Sequence, residues 1–258
     1  MRILVAARRC IPWSARSTVK RFWETAAIGA ADDGFAILLD SKPMHLPGGG
    51  VLRVRSEPLA QAIAGEWQAA GGEKGGEMSF ADTPLTRLAG TAQQRVAPDP
   101  APTVDAIARY AESDLLCYRA DKPPELVERQ QREWQPWLDW VALAYDAPLR
   151  VSSGVSYVKQ HRGAVAALRE AVGALDVPAV AALGIAVPAL GSLVLGLAMV
   201  EGKLDATTAH ALGALDELFQ AEAWGEDAEA VARRANIAAD IALAERFIRL
   251  TRPAEAAA

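Results

Sequence analysis

The sequence predicts an α+β protein, with a small mixed N-terminal domain holding an antiparallel sheet and a mainly α-helical C-terminal domain after it. Three observations carry that expectation. Apolar residues alternate around Asp33-Gly34 in the N-terminal third, which is the period of strands at a hairpin turn. From Asp82 onward the apolar period is that of helices. Between Val177 and Val200 no residue is charged, and Pro178 and Pro188 break the run, as suits helices buried on all sides.

Taken in order, residues 1–19 are expected to be a leader or an extended start outside the folded body. Residues 1–21 hold Arg2, Arg8, Arg9, Arg16, Lys20 and Arg21 and no acid, the composition of an organellar transit peptide. The apolar stretch Ile3 to Ala7 is too short for a secretory signal. The first domain is expected over residues 20–122. Phe35, Ile37 and Leu39 form a strand after the Asp33-Gly34 turn. Ser41-Lys42-Pro43 turns into Met44-His45-Leu46, and Gly48-Gly49-Gly50 leads to Val51 through Arg55, completing a meander. Ser56-Glu57-Pro58 opens a helix with Leu59, Ile63 and Trp67 on one face, and Gly71-Gly72 stops it. Asp82-Thr83-Pro84 caps the next, with Leu85, Leu88, Ala92 and Val96 aligned. Pro98, Pro100 and Pro102 end it, and Thr103 caps a helix through Tyr110 toward Leu116.

Pro123-Pro124 marks the expected boundary, with residues 123–258 as the second domain. A long helix runs from Glu125 to Tyr145, kinked or restarted at Pro136, with Trp134, Trp137, Leu138 and Val141 along one side. Leu149 to Val151 and Val155 to Val158 suggest a short hairpin around Gly154. Helices then continue to Leu250, and the uncharged run should split near Pro188.

Composition narrows the function. Hydrophobic residues are 51% and charged residues 23%, the balance of a folded globular chain. Net charge is −5, and beyond residue 21 the acids dominate, which argues against nucleic acid as a partner. Cys10 and Cys117 form no redox or metal motif and fit a reducing compartment. His45, His161 and His210 sit on separate elements, so no metal site is expected. Gly48 to Gly50 lacks the Gly-Lys-Ser/Thr of a phosphate loop, and no G-x-S-x-G occurs. No cofactor is expected, and Glu201 together with unflanked ends argues against membrane insertion of Val177–Val200.

Two dense blocks remain. The first is Tyr110 to Arg119, with Arg129-Gln130, Trp134, Pro136 and Leu138-Asp139-Trp140. The second is Asp216-Glu217, Gln220 and Trp224-Gly225-Glu226-Asp227. Both gather Trp, Gln and acids, the residues of a surface that holds another protein. With one helix from Ala209 to Trp224, Leu212, Leu215, Phe219 and Ala223 make the core stripe and Glu217 faces away, flanked by Gln220 and Trp224. Trp224 is then either a second packing face or an exposed anchor. Glu226 and Asp227 suit the first turn of the next helix. The remaining acids have no Lys or Arg near them in sequence between Lys203 and Arg233 and leave an acidic face. The candidate partner-binding residues are Glu217, Asp216, Gln220, Trp224 and Glu226. A rival reading makes the protein a small-molecule enzyme with Asp114 and Glu217 as carboxylates in an inter-domain cleft.

The chain resembles the assembly chaperone family for the alpha subunit of the F-type ATP synthase catalytic head. The resemblance runs from about Lys20 to Leu250. It rests on Lys20-Arg21-Phe22-Trp23, Gly34-Phe35, Leu39-Asp40, Pro43, Leu59-Ala60, Ala62-Ile63 and Glu66-Trp67. Further on it rests on Met78, Pro84-Leu85-Thr86, Ser113 to Arg119, Gln130, Trp134, Pro136 and Asp139-Trp140. Gly191 to Leu195, Asp216-Glu217, Gln220 and Trp224 to Asp227 complete the ordered set. It implies a small α+β domain joined to a helical one, with neither cofactor nor turnover. The implied task is to hold the unassembled alpha subunit until the beta subunit takes over its surface, with the key acidic position at Glu217. A monomer in the bacterial cytoplasm is expected, or one in the mitochondrial matrix if residues 1–19 are a transit peptide. Two places depart from the family pattern: Ser41-Lys42 stands where Gly-Arg is usual, and Ile185-Ala186-Val187-Pro188 where polar residues are.

Overall fold

The computed structural model describes residues 18–154 and 156–252. The expected leader lies outside them except for Thr18 and Val19, which open the first strand. The described residues divide into two compact units between Gly90 and Thr91.

The first unit is α+β. Its strands are β1 (Thr18–Lys20), β2 (Ala26–Ala31), β3 (Gly34–Leu39), β4 (Lys42–Pro43) and β5 (Arg53–Val54). Helix α1 (Glu57–Ala69), β6 (Glu77–Ser79) and α2 (Pro84–Thr91) follow. The hairpin at Asp33-Gly34 forms as expected, with Ala26 to Ala31 paired against Leu39 to Gly34. Only glycine fits at Gly34: φ is 113°, and a Cβ there would lie 2.4 Å from the Val54 carbonyl oxygen. The next turn falls one residue earlier than expected. Asp40 and Ser41 take φ of 47° and 66°, and Lys42-Pro43 already pair with Leu39 and Leu38. Strand β5 pairs with Phe35 and Ala36 at the other end of β3, while β1 and β6 form a separate antiparallel ribbon.

Side chains far apart in sequence knit this unit together. Arg21 is 3% exposed, and its guanidinium donates to the Gln68, Ala70 and Gly72 carbonyls, closing the end of α1 that Gly71 and Gly72 terminate. Trp23 Nε1 donates to the Trp67 carbonyl at 3.0 Å, and Trp67 Nε1 donates to Thr86 Oγ1 at 2.9 Å. The Asp82-Thr83 cap expected for α2 is replaced. Pro84 brings no N–H, so the first free amides belong to Leu85 and Thr86, and the Glu66 carboxylate accepts both at 2.8 and 3.2 Å. Asp82 instead accepts from Ser79 N at 2.8 Å around a 3₁₀ turn, Phe80–Asp82.

The second unit is helical. A π-helical turn, Ala92–Val96, leads to α3 (Ala101–Ala108) and to 3₁₀ turns at Arg109–Glu112 and Leu115–Cys117. Thr103 lies inside α3, where Asp99 accepts from the Ala101 amide, so the expected Thr103 cap is not formed. There follow β7 (Tyr118–Arg119), α4 (Pro124–Tyr145), β8 (Ser152–Ser153), α5 (Arg162–Gly173), α6 (Val177–Leu190) and α7 (Leu193–Val200). The chain closes with α8 (Ala206–Gly213), α9 (Leu215–Trp224) and α10 (Ala228–Thr251). Pro123-Pro124 therefore starts a helix within this unit. Helix α4 continues through Pro136 and buries Leu126, Gln130, Trp134, Leu138 and Val141, with Trp137 only partly covered. The hairpin expected around Gly154 does not form in the described residues. Strand β8 pairs in parallel with β7, Val151 is 42% exposed, and Arg150 and Gln160 close the loop through two hydrogen bonds of 2.8 and 2.9 Å.

Helices α6 and α7 take up the uncharged run and form the centre of the unit. They separate at Gly191, with φ 65°, and at Ser192, whose hydroxyl accepts from Leu195 N, so the break follows Pro188 by three residues. Leu183, Ala186, Val187, Leu193, Val194 and Leu195 are 0% exposed, and α10 packs along α6. No described helix is long and apolar enough to cross a membrane.

Candidate functional site

The first motif block lies inside the second unit. Asp114 is 0% exposed; one carboxylate oxygen accepts from Leu116 N at 3.1 Å and the other from Val194 N at 3.0 Å. It thereby caps a 3₁₀ turn and the first turn of α7 at once. Burial pushes its carboxyl up to about 6, against the hydrogen bonds from Val194, Ser192 and Leu116 that favour the charged form. Cys117 is equally buried, and burial drives its thiol up to about 12, so it is no nucleophile. The enzyme reading loses its first carboxylate here: Asp114 faces no solvent, and both of its oxygens are committed to backbone amides.

Arg119, Gln130 and Trp134 then fix where α8 and α9 sit. The Arg119 guanidinium donates to the Leu116 carbonyl at 2.9 Å and the Gln130 carbonyl at 2.6 Å, and lies 5.3 Å over the Trp134 ring. Gln130 accepts from Ala120 N at 2.8 Å and donates Nε2 to Asp216 at 2.7 Å. Trp134 Nε1 donates to the Leu212 carbonyl at 3.0 Å, near the end of α8. Gln130 and Trp134 are four residues apart on α4, so one helix face supplies both anchors. Asp216 is thus a half-buried anchor; burial raises its carboxyl, opposed by Gln130 and Arg119.

Helix α9 is where the structure departs most from the expected single helix. Ala214, at φ −98° and ψ 11°, separates α8 from α9 and redirects the chain. Leu212 and Leu215 remain buried, but Phe219 is half-covered and Ala223 is exposed, so the expected core stripe ends at Leu215. Within α9 the spacing of Glu217, Gln220 and Trp224 still puts all three on one outward face. Trp224 is 82% exposed and has no ring contact or hydrogen bond among the described residues.

The acids of this region are answered from within the protein. Glu217 accepts from Arg233 at 3.1 Å and faces Arg234 at 3.8 Å. Arg234 reaches Glu226 at 2.8 Å, and Arg129 of α4 reaches Glu222 at 2.8 Å. Asp227 caps α10 by accepting from Ala230 N at 3.1 Å, and Glu229 lies in that first turn. The acidic face read from sequence is therefore largely paired, and what stands free on α9 is Gln220 and Trp224. That Arg129, Arg233 and Arg234 pair with these acids was not legible in the sequence, because the partners lie on other elements, 93, 16 and 8 residues away. Of the two acids expected in the first turn of the next helix, Asp227 caps α10, while Glu226 lies before that cap and pairs with Arg234. Among the described residues no group of three metal-ligating side chains occurs.

The chain matches known proteins along most of its length. The family model of the ATP12 chaperone protein matches residues 20–142. The structure is similar to the crystal structure of Atp12 from Paracoccus denitrificans, at 44% sequence identity and a TM-score of 0.84, covering 90% of this chain and 98% of that one. It is also similar to a protein of Agrobacterium tumefaciens, at 35% identity and a TM-score of 0.84, covering 91% of this chain and 87% of that one. The chain belongs to the ATP12 chaperone family, whose members serve ATP synthase assembly as chaperones and not as enzymes.

Proposed function

We propose that this chaperone binds the unassembled alpha subunit of the F-type ATP synthase head through the outer face of α9, as a cytoplasmic monomer, and shields that subunit until the beta subunit replaces it. One observation carries the reading: α9 buries only Leu215 and ends on a Trp that is 82% exposed. An indole left in water is a liability for an isolated protein and an anchor for a bound one. Gln220 adds adaptable hydrogen bonds beside it. Glu217 adds a charge that a basic or amide-rich client patch can share with Arg233. Because that ion pair is half-exposed, exchanging its partner costs little, which suits a contact that must later release. The bacterial relatives support the cytoplasmic setting.

Light scattering of the isolated alpha subunit tests the reading. The wild-type chain should suppress aggregation near one-to-one, and Trp224→Ala should lose most of that protection with its melting temperature unchanged. Anchors of this kind are worth about 2 kcal/mol or more of binding. Full protection by Trp224→Ala would refute the placement of the contact.

A further inference from the structure

A second surface, on other elements than α9, has its own chemistry. A groove of about 540 Å³ opens between α3, the 3₁₀ turn after it, the loop before α5, and α5 itself. Its apolar lining is Ala108, Val165 and Ala166. Its charges are uneven: Arg169 is neutralised by Asp105 at 2.7 Å, which leaves Arg109, Lys159 and Arg162 against Glu112 alone. Those three cations have no hydrogen bond or ion pair among the described residues, and all are exposed. In a chain of net charge −5, three unpaired cations around one groove mark a positive locus on an acidic molecule. The loop that carries Lys159 is held in place, because Gln160, 6% exposed, is locked to Arg150 by its two hydrogen bonds. Tyr157, 68% exposed, stands at the rim of the same groove.

We propose that this groove docks an extended acidic segment of a bound protein, its carboxylates on Arg109, Lys159 and Arg162 and an aliphatic side chain on Ala108, Val165 and Ala166. The proposal rests on the reading that the chain binds a protein client. A phosphate ligand fits the groove less well. At the start of α5 the His161 ring already accepts from Gly163 N, so that helix end is partly capped from within the chain. The cations come from three separate segments with their heads in water, which matches carboxylates spaced along a peptide and not one compact anion.

Fluorescence anisotropy with the intact chain and a labelled acetyl-Asp-Glu-Leu-Asp-Glu-Leu peptide tests this, with inorganic phosphate and ATP as competitors. Each exposed charge pair changes affinity by up to about fivefold, so Arg109→Gln/Lys159→Gln/Arg162→Gln together should weaken the peptide by about tenfold or more at an unchanged melting temperature. Raising salt should weaken wild-type binding in the same direction. Trp224→Ala should bind the peptide as wild type does, so loss of client protection and loss of the groove are read separately. The proposal is overturned if the peptide does not bind, if the triple variant binds it equally well, or if phosphate or ATP displaces it at micromolar concentration.

Discussion

Ser41 sits at φ 66°, where glycine fits without strain, in the tight turn between β3 and β4. The family resemblance leads one to expect glycine at that position, and the backbone gives the serine a physical cost. Ser41→Gly should therefore raise stability by about 0.5–1 kcal/mol in urea unfolding, the penalty of a side chain in the left-handed region less the chain entropy glycine adds. Asp114 supplies a pH test. Its folded carboxyl titrates near 6, above its ordinary 3.8, so between those values the folded state holds a proton the unfolded chain has released. Its contribution to stability is complete below about pH 4 and falls as pH rises through 6, by roughly 3 kcal/mol for a shift of two units. Asp114→Asn removes that titration, so the stability difference between wild type and variant should shrink by about that amount from pH 4 to pH 7. A constant difference across that range would contradict the assignment. Single residues were legible where local rules decide them: Gly34, Ser56, Gly71 and the exposed side of Glu217. The ion pairs of Arg129, Arg233 and Arg234 were not, because their partners, 93, 16 and 8 residues away, lie on other elements.

Helices were legible in existence and less so in their ends. The α1 stripe of Leu59, Ile63 and Trp67 and the Trp134, Leu138, Val141 face of α4 are buried as their period requires. The caps of α2 and α3 were misread because the choice depended on Glu66, eighteen residues before Pro84, and on a proline that removes an amide. The single helix assumed over Ala209 to Trp224 hid the Ala214 break, since nothing in Gly213-Ala214 alone forces one. Leu215 is the only residue of α9 that is buried, so Leu215→Ala should detach this helix and lower stability by about 2–5 kcal/mol. Far-ultraviolet circular dichroism should lose part of one short helix at temperatures where the rest remains folded. Helix α7 approaches α6 at Gly196, where a Cβ would fall 2.6 Å from Val187 Cγ2. Gly196→Ala should accordingly cost about 1–3 kcal/mol by overpacking, and Gly196→Ala with Val187→Ala should recover part of it. Ile185 to Pro188 belong to the same packing: Ala186 and Val187 are fully buried in their own unit.

For the whole molecule, the order of sheet first and helices after was plain from the change of apolar period. The division between the units was not, because it falls at Gly90-Thr91, where helix continues and composition does not change. Pro123-Pro124, the expected boundary, opens α4. The family followed from an ordered set of residues whose structural work is now visible: Arg21, Trp23, Glu66 and Trp67 in the first unit, Asp114, Arg119, Gln130 and Trp134 in the second. Most of these hold the fold together, and by fixing Leu212 and Asp216 the second group presents Gln220 and Trp224 to the outside. Hydrogen exchange of the chaperone with and without the alpha subunit tests that account most directly. The account predicts slowed exchange across Leu215–Trp224 when the subunit is added, absent in the Trp224→Ala variant. Unchanged exchange in that helix, with protection arising only elsewhere in a stable complex, would contradict it.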